Sequence, residues 1–208
     1  MSRLGTMIGT KREASLGDIA AVTQLARWVS ILAHPFVMVA LLVAVPAMRQ
    51  TSGNAVQSVL LVVFAVVVPI AGLMFRQVRR GRWSNADASE RSERPLLFLM
   101  ALAGLVAGLG WLLVNDPHSF LVRGMLVTAG FLLLAALLTR WVKLSLHVAF
   151  AALTATTLCQ LGSAVGYALV AVIPVVFWSR IALGRHRLHE LLVGLVLGIL
   201  TGIVLVRL

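Results

Sequence analysis

Leu188-His-Glu-Leu-Leu-Val-Gly-Leu-Val-Leu-Gly-Ile-Leu-Thr-Gly-Ile-Val-Leu-Val206 is ionisable only in its first turn, at His189 and Glu190. A helix needs roughly 20 apolar residues at about 1.5 Å rise to cross about 30 Å of hydrocarbon, so this stretch reads as a membrane span. Gly194, Gly198 and Gly202 recur at a spacing of four on one face, a ridge of small residues along which another helix can approach closely. Gly104 and Gly108 repeat that spacing in an earlier apolar stretch. Both ridges read as packing devices, not as phosphate-binding loops.

Six more apolar stretches precede this one: Trp28 to Met48, Val56 to Phe75, Pro95 to Val114, Phe120 to Leu138, Leu146 to Leu161 and Ser163 to Trp178. The last two are short and joined through Gly162, which calls for a tight turn or a thinned membrane. The expected fold is all-α, a polytopic transmembrane bundle of six or seven helices. A polar N-terminal segment over 1–27 precedes a single membrane domain over 28–208, and Pro35 marks a point where the first span can tilt or re-enter. The N-terminal segment lacks the basic-then-apolar order of a signal peptide, so the first span is expected to act as the insertion signal.

Composition agrees with a lipid-embedded chain. Of 208 residues, 60% are hydrophobic, and mean hydropathy is +0.99. The 18 Lys and Arg against 7 Asp and Glu give a net charge of +11. They lie between the apolar stretches, so this excess addresses the membrane rather than nucleic acid. With seven spans, fifteen basic residues fall on the N-terminal side of the membrane and three, Arg49, Arg123 and Arg207, on the other. Setting aside Arg91, Arg94, Lys143 and Arg180 as candidates for chemistry still leaves eleven against three. The positive-inside rule then predicts a multi-pass cell-membrane protein with a cytoplasmic N-terminus. Trp28, Trp141, Trp178 and Trp111 fall near predicted helix ends, where they anchor at the interface. The lone Cys159 excludes a disulfide framework or a cysteine metal site and reads as packing.

In a bilayer the informative residues are polar ones at or within helix ends, because they are costly there without a partner or a task. Three segments hold most of them. Asn85 to Pro95 ends in Arg94-Pro95, with Pro95 suited to a first helical turn and the arginines to gripping phosphate oxygens. Lys143-Leu-Ser-Leu-His147 leads into an apolar helix. With Ser145 as its cap, His147 lies in the first turn, where free amides favour an anion. In Ser179 to Glu190, His186 and Glu190 are four apart and would share a face of the following helix. The carboxylate can then hold one ring nitrogen and leave the other to act.

Singly, each segment has an ordinary structural reading: an interfacial histidine bonded at a helix end, arginines that only set topology, a chance i,i+4 pair. Together they fall on alternate loops, which delivers all three to one face of the membrane. Two histidines, a carboxylate, a lysine, arginines and a serine on one face suit phosphoryl transfer. Cations neutralise the phosphoryl oxygens, one histidine attacks and the other protonates the leaving oxygen.

These residues resemble the type 2 phosphatidic acid phosphatase superfamily of membrane phosphatases. That family carries a Lys seven residues before Arg-Pro, then Pro-Ser-Gly-His, then Ser-Arg followed after five residues by His and after three more by Asp. Ser179-Arg180, five residues, His186, three residues and Glu190 match the third motif, with Glu in place of Asp and Gly194 where the family commonly has Gly. Ser145-Leu146-His147 retains the second, with Leu144 for Pro and Leu146 for Gly; Arg94-Pro95 retains the first, with Asp87 at the lysine position. Arg91 or Lys143 is expected to supply the missing cation. The resemblance spans about 87–194 and leaves out the first two spans.

The resemblance implies that His186 is the nucleophile of a phosphohistidine intermediate and that Glu190 orients it. His147 protonates the leaving alkoxide and then activates water, and Arg94, Arg180 and Ser145 bind the phosphate, with no metal and no cofactor. His34, His118 and His189 lie outside the motifs and read as structural. The expected partners are membrane lipids, with a lipid or polyprenyl phosphate or diphosphate as substrate, headgroup at the cytoplasmic interface. The rival readings are a membrane prenyltransferase, with Asp87, Glu90 and Glu93 binding a diphosphate through magnesium, and a non-catalytic transporter or scaffold that keeps the fold.

Overall fold

The computed structural model describes residues 18–48, 55–83 and 90–208, and within them the chain is all-helical. Asp87 and the N-terminal residues 1–17 lie outside the described residues. Helix α1 covers 18–32, so the first helix starts ten residues before Trp28, inside the stretch expected to be polar. It stops at His34, whose backbone is extended (φ −62°, ψ 142°), and α2 (Pro35–Ala47) begins at once. The residue before a proline is pushed out of the helical region by the ring Cδ, which is why the break falls at His34. Its Nδ1 then accepts from the Phe36 amide and caps α2.

Helix α3 (Ala55–Val62) runs through a π-helical stretch, Val63–Val67, into α4 (Val68–Arg79). Pro69 has no N–H for the carbonyl of Ala65 four residues back, and the wider π turn absorbs that irregularity. Gly104 of α5 (Arg94–Asn115) lies directly over this spot: a Cβ on it would collide with the Ala65 carbonyl oxygen. Helix α6 (Phe120–Leu138) is capped by the Ser119 hydroxyl, which accepts from the Leu121 amide. Three helices follow, α7 (Leu146–Gln160), α8 (Ala164–Ala182) and α9 (Leu188–Arg207).

Among the described residues, six helical stretches are long and apolar enough to cross a membrane: Asp18–Ala47, Leu60–Arg79, Arg91–Asn115, Phe120–Leu138, Ala164–Ala182 and Leu188–Arg207. Helix α7 has 15 residues and is the shorter, seventh apolar helix. The protein is a polytopic membrane helix bundle.

Helix α7 is its axis. Val148, Ala149, Ala152 and Leu158 are completely buried, and α2, α8 and α9 pack around it. The glycine ridge of α9 lies on α7 backbone: a Cβ at Gly194 would meet the Ser145 oxygen at 2.7 Å, one at Gly198 would collide with the Ala149 oxygen, and one at Gly202 would stand 2.9 Å from the Leu153 oxygen. Both series step by four in the same direction, so α7 and α9 run parallel. Helix α8 links them, running back along α7 after a turn in which Gly162 takes φ +66°. The N-terminal ends of α5, α7 and α9 and the C-terminal end of α8 therefore share one end of the bundle.

Candidate active site

Arg94 is the first residue of α5 and only 2% exposed, and its Nη1 donates to the Leu144 carbonyl at 2.7 Å. That bond ties the start of α5 to the strand of chain entering α7. Ser145 is completely buried, and its amide donates to the Glu190 carbonyl at 3.2 Å, tying α7 to α9. The expected cap does not form: Ser145 occupies the N-cap position by its backbone, but its hydroxyl makes no capping bond. The Oγ, with the Gly194 contact on its own backbone, is buried with no hydrogen-bond partner among the described residues.

His186 precedes helix α9 rather than lying on it, in a loop that Gly184 opens at φ +65°. The i,i+4 pairing with Glu190 forms nonetheless, with Nδ1 2.8 Å from Oε2. Glu190 is the third residue of α9, and its Oε2 also accepts from the Arg187 amide at 3.2 Å. A carboxylate only accepts, so Nδ1 carries the proton and Nε2 keeps the lone pair. Burial lowers the His186 pKa from 6.5 to about 4, with the Arg180 and Arg94 charges adding to that effect and the Glu190 hydrogen bond opposing it. At neutral pH the ring is an uncharged base set against two guanidinium groups.

Arg180, 1% exposed at the end of α8, donates from Nη1 to the Ser30 hydroxyl of α1 at 2.6 Å. The neighbouring Ser179 hydroxyl donates to the Ala26 carbonyl at 2.8 Å. Helix α1 thus docks against the Ser179-Arg180 pair. Lys143 is half-buried and close enough for its charge to act on the Glu190 carboxylate. Arg91 stands apart from this cluster: it is exposed, with Nη2 3.4 Å from the Trp141 carbonyl. Glu93 is buried, with its carboxylate accepting from the Glu90 amide, so this member of the proposed acidic set serves the chain's own backbone.

His147 is buried in the first turn of α7, and its ring meets that of His34 edge to face, with centroids 5.2 Å apart. Both line a cavity of about 920 Å³ between α2, α3, α4, α5, α6, α7 and the C-terminal end of α9.

The structure thus brings His186, Glu190, Arg94, Arg180, Ser145 and Lys143 to one end of the bundle, with His147 two residues along from Ser145. No family model, curated protein or solved structure matches the chain. The functional reading therefore rests on the site itself.

Sequence reasoning missed the contribution of the first helices. His34 meets the His147 ring, and Ser30 and Ala26 accept from the Arg180 and Ser179 side chains of α8. The dipeptide His34-Pro35 was the available signal, since it dictates a break beside a polar ring.

Proposed function

We propose that the protein is an integral-membrane lipid phosphatase, a divergent member of the type 2 phosphatidic acid phosphatase superfamily. The observation that carries this reading is the 2.8 Å His186–Glu190 pair, with a neutral ring exposed to the charges of Arg180 and Arg94.

In the proposed reaction Nε2 of His186 attacks the phosphorus of a lipid or polyprenyl phosphate. The bond from phosphorus to the ester oxygen, or to the bridging oxygen of a diphosphate, breaks with its electron pair going to that oxygen. His147 supplies the proton the leaving oxygen takes up. The His186 ring becomes phosphorylated and gains positive charge, which Glu190 balances through Nδ1–H. Water then attacks phosphorus and gives a proton to His147. The phosphorus–nitrogen bond breaks, its electron pair returns to Nε2, and inorganic phosphate leaves. Arg94 and Arg180 neutralise the phosphoryl oxygens through both stages, and the buried Ser145 hydroxyl offers another donor. Lys143 is close enough to add positive charge at the same end. The cavity beside His147 gives the apolar tail a place between the helices, as a lipid substrate needs. The count of fifteen basic residues against three supports a cytoplasmic site, and so a substrate presented from that side.

The test is phosphate release by purified protein in detergent with EDTA, from phosphatidate, polyprenyl phosphate and polyprenyl diphosphate, beside His186→Ala. Release that survives EDTA and falls on the order of 10³-fold or more in the variant is the expected result. Release equal in the two proteins, or none from either, overturns the reading and favours a non-catalytic transporter or scaffold.

A further inference from the structure

Among the residues assigned chemistry, His147 is the one that borders the cavity. A ring beside open space keeps a single rotamer only if the neighbours on that side are themselves fixed. Passing a proton to a leaving oxygen demands such a fixed orientation, since a misplacement of about 1 Å costs on the order of 10²-fold in rate. The ring that stands against His147 is that of His34, with centroids 5.2 Å apart and planes at 87°.

His34 is held from several directions. Pro35 keeps its backbone extended, its Nδ1 accepts from the Phe36 amide at 3.3 Å, and the Phe36 ring lies against it with centroids 4.6 Å apart. One turn further along α2, the Met38 carbonyl accepts from the Thr154 hydroxyl of α7 at 3.2 Å. That bond fixes the two helices that carry the two rings. Four residues before His34, the Ser30 hydroxyl accepts from Arg180 at 2.6 Å. The chain on either side of the break therefore touches two residues of the candidate site, on two different helices.

Capping alone does not call for histidine. Serine, threonine, aspartate and asparagine are the side chains that ordinarily accept from the amides of a first helical turn. An apolar ring would cover His147 but offer no acceptor to Phe36. Histidine does both, and its capping bond is what orients the ring that meets His147.

We propose that His34 is a positioning residue for His147. Its ring holds the His147 imidazole in the orientation from which the proton passes to the leaving oxygen and to which the attacking water returns one. His34 itself takes no proton and touches no substrate. The role rests on the phosphatase reading, but the contact that performs it can be measured without turnover.

Two substitutions separate the ring from the cap. His34→Asn keeps an acceptor for the Phe36 amide and removes the ring. The detergent-purified full chain carrying it is expected to melt within about 2 °C of the parent while kcat for phosphate release falls about tenfold or more. KM is expected to stay unchanged, because Arg94 and Arg180 and not His147 bind the phosphate in the proposed reaction. His34→Phe restores a ring and removes the acceptor. It is expected to recover most of the lost kcat and to melt roughly 2–4 °C lower, so activity and stability move in opposite directions in the two variants. Unchanged kcat in His34→Asn overturns the proposal, and so does an equal loss in both variants, which would assign the effect to the ring nitrogen rather than to the ring contact. The imidazole nitrogen resonances of His147 in protein labelled with 15N-histidine, assigned by their loss in His147→Gln, give the second measurement. They are expected to broaden in His34→Asn and to stay sharp in His34→Phe. Sharp resonances in His34→Asn overturn the proposal whether or not the parent releases phosphate. Absence of release from the parent overturns the phosphatase reading, and the spectra then decide the positioning on their own.

Discussion

Around α7 and α9 backbone meets backbone along three successive turns, with Gly194, Gly198 and Gly202 against the carbonyls of Ser145, Ala149 and Leu153, whereas α2 to α6, which meet as closely at Gly104 and Ala65, surround a cavity of about 920 Å³. The first region holds His186, Glu190, Ser145 and Arg180, all but Glu190 deeply buried. The second is walled by valines, leucines and phenylalanines. The contrast matches two different demands. Phosphoryl transfer needs groups fixed to fractions of an ångström, which rigid helix ends with interlocked backbone bonds supply. An apolar chain needs room and few specific contacts. The close packing also accounts for the length of α7: enclosed by α2, α8 and α9, it need not match the hydrocarbon thickness, and it can carry serine, histidine and threonine where a lipid-facing helix would not.

The largest effect on this contrast is expected from Gly198→Leu. Its Cβ would collide with the Ala149 carbonyl oxygen and approach Ala152 Cβ at 2.8 Å, forcing α9 off α7. A loss of ~3 kcal/mol or more follows from overpacking, seen as a lower melting temperature in detergent and as lost phosphate release. Gly110→Leu, where a Cβ meets nothing within 4 Å, is expected to stay within ~0.5 kcal/mol of the parent. Equal effects at the two glycines would mean that the α7–α9 contact is no tighter than the exposed face of α5.

Ser30→Ala comes next. It removes the 2.6 Å acceptor of the buried Arg180 guanidinium and is expected to cost ~2 kcal/mol, as for a hydrogen bond to a charged group. Helix α1 is joined to α8 by this bond and by that of Ser179 to Ala26, so hydrogen exchange over residues 18–32 should rise first. Exchange unchanged there would mean that α1 is held by its apolar contacts and not by the arginine.

Much of the tight region was legible beforehand, and little of the open one. Apolar length located the spans because backbone satisfaction in lipid leaves few alternatives. The four-residue glycine spacing announced a close helix contact on α9, because small residues on one helix face have one main use there, but not that α7 is the partner. Alternation of spans brought Arg94, Ser145 and His186 to one end. Ser145 takes the expected N-cap position and puts His147 in the first turn, but its hydroxyl makes no capping bond, since a place at a helix start does not fix where Oγ points. His186 was expected on the helix and lies before it. The cavity left no periodic mark: its walls are the same valines and leucines that face lipid elsewhere, such as Leu99 and Val106. His34-Pro35 announces the break between α1 and α2, but which helices His34 and Ser30 then meet depends on tertiary packing that the sequence pattern does not carry.

Acid pH separates the two regions by their access to water. Burial, aided by Arg180 and Arg94 and opposed by the Glu190 bond, brings the His186 pKa from 6.5 to about 4. Above pH 6.5 the ring is neutral in both folded and unfolded chains and adds no pH dependence. Between 6.5 and about 4 the unfolded chain has taken up a proton that the folded chain has not, so stability must fall as pH falls, by at most about 1.4 kcal/mol per pH unit. Melting of the parent in detergent at pH 7.5, 6.5, 5.5 and 4.5, beside His186→Gln, reads this slope. The variant starts lower, having lost the 2.8 Å contact with Glu190, but the two curves should converge towards acid because only the parent has this titration to lose. Parallel curves would mean that water reaches the ring and holds its pKa near the ordinary value, and the site would then be as open as the cavity beside it.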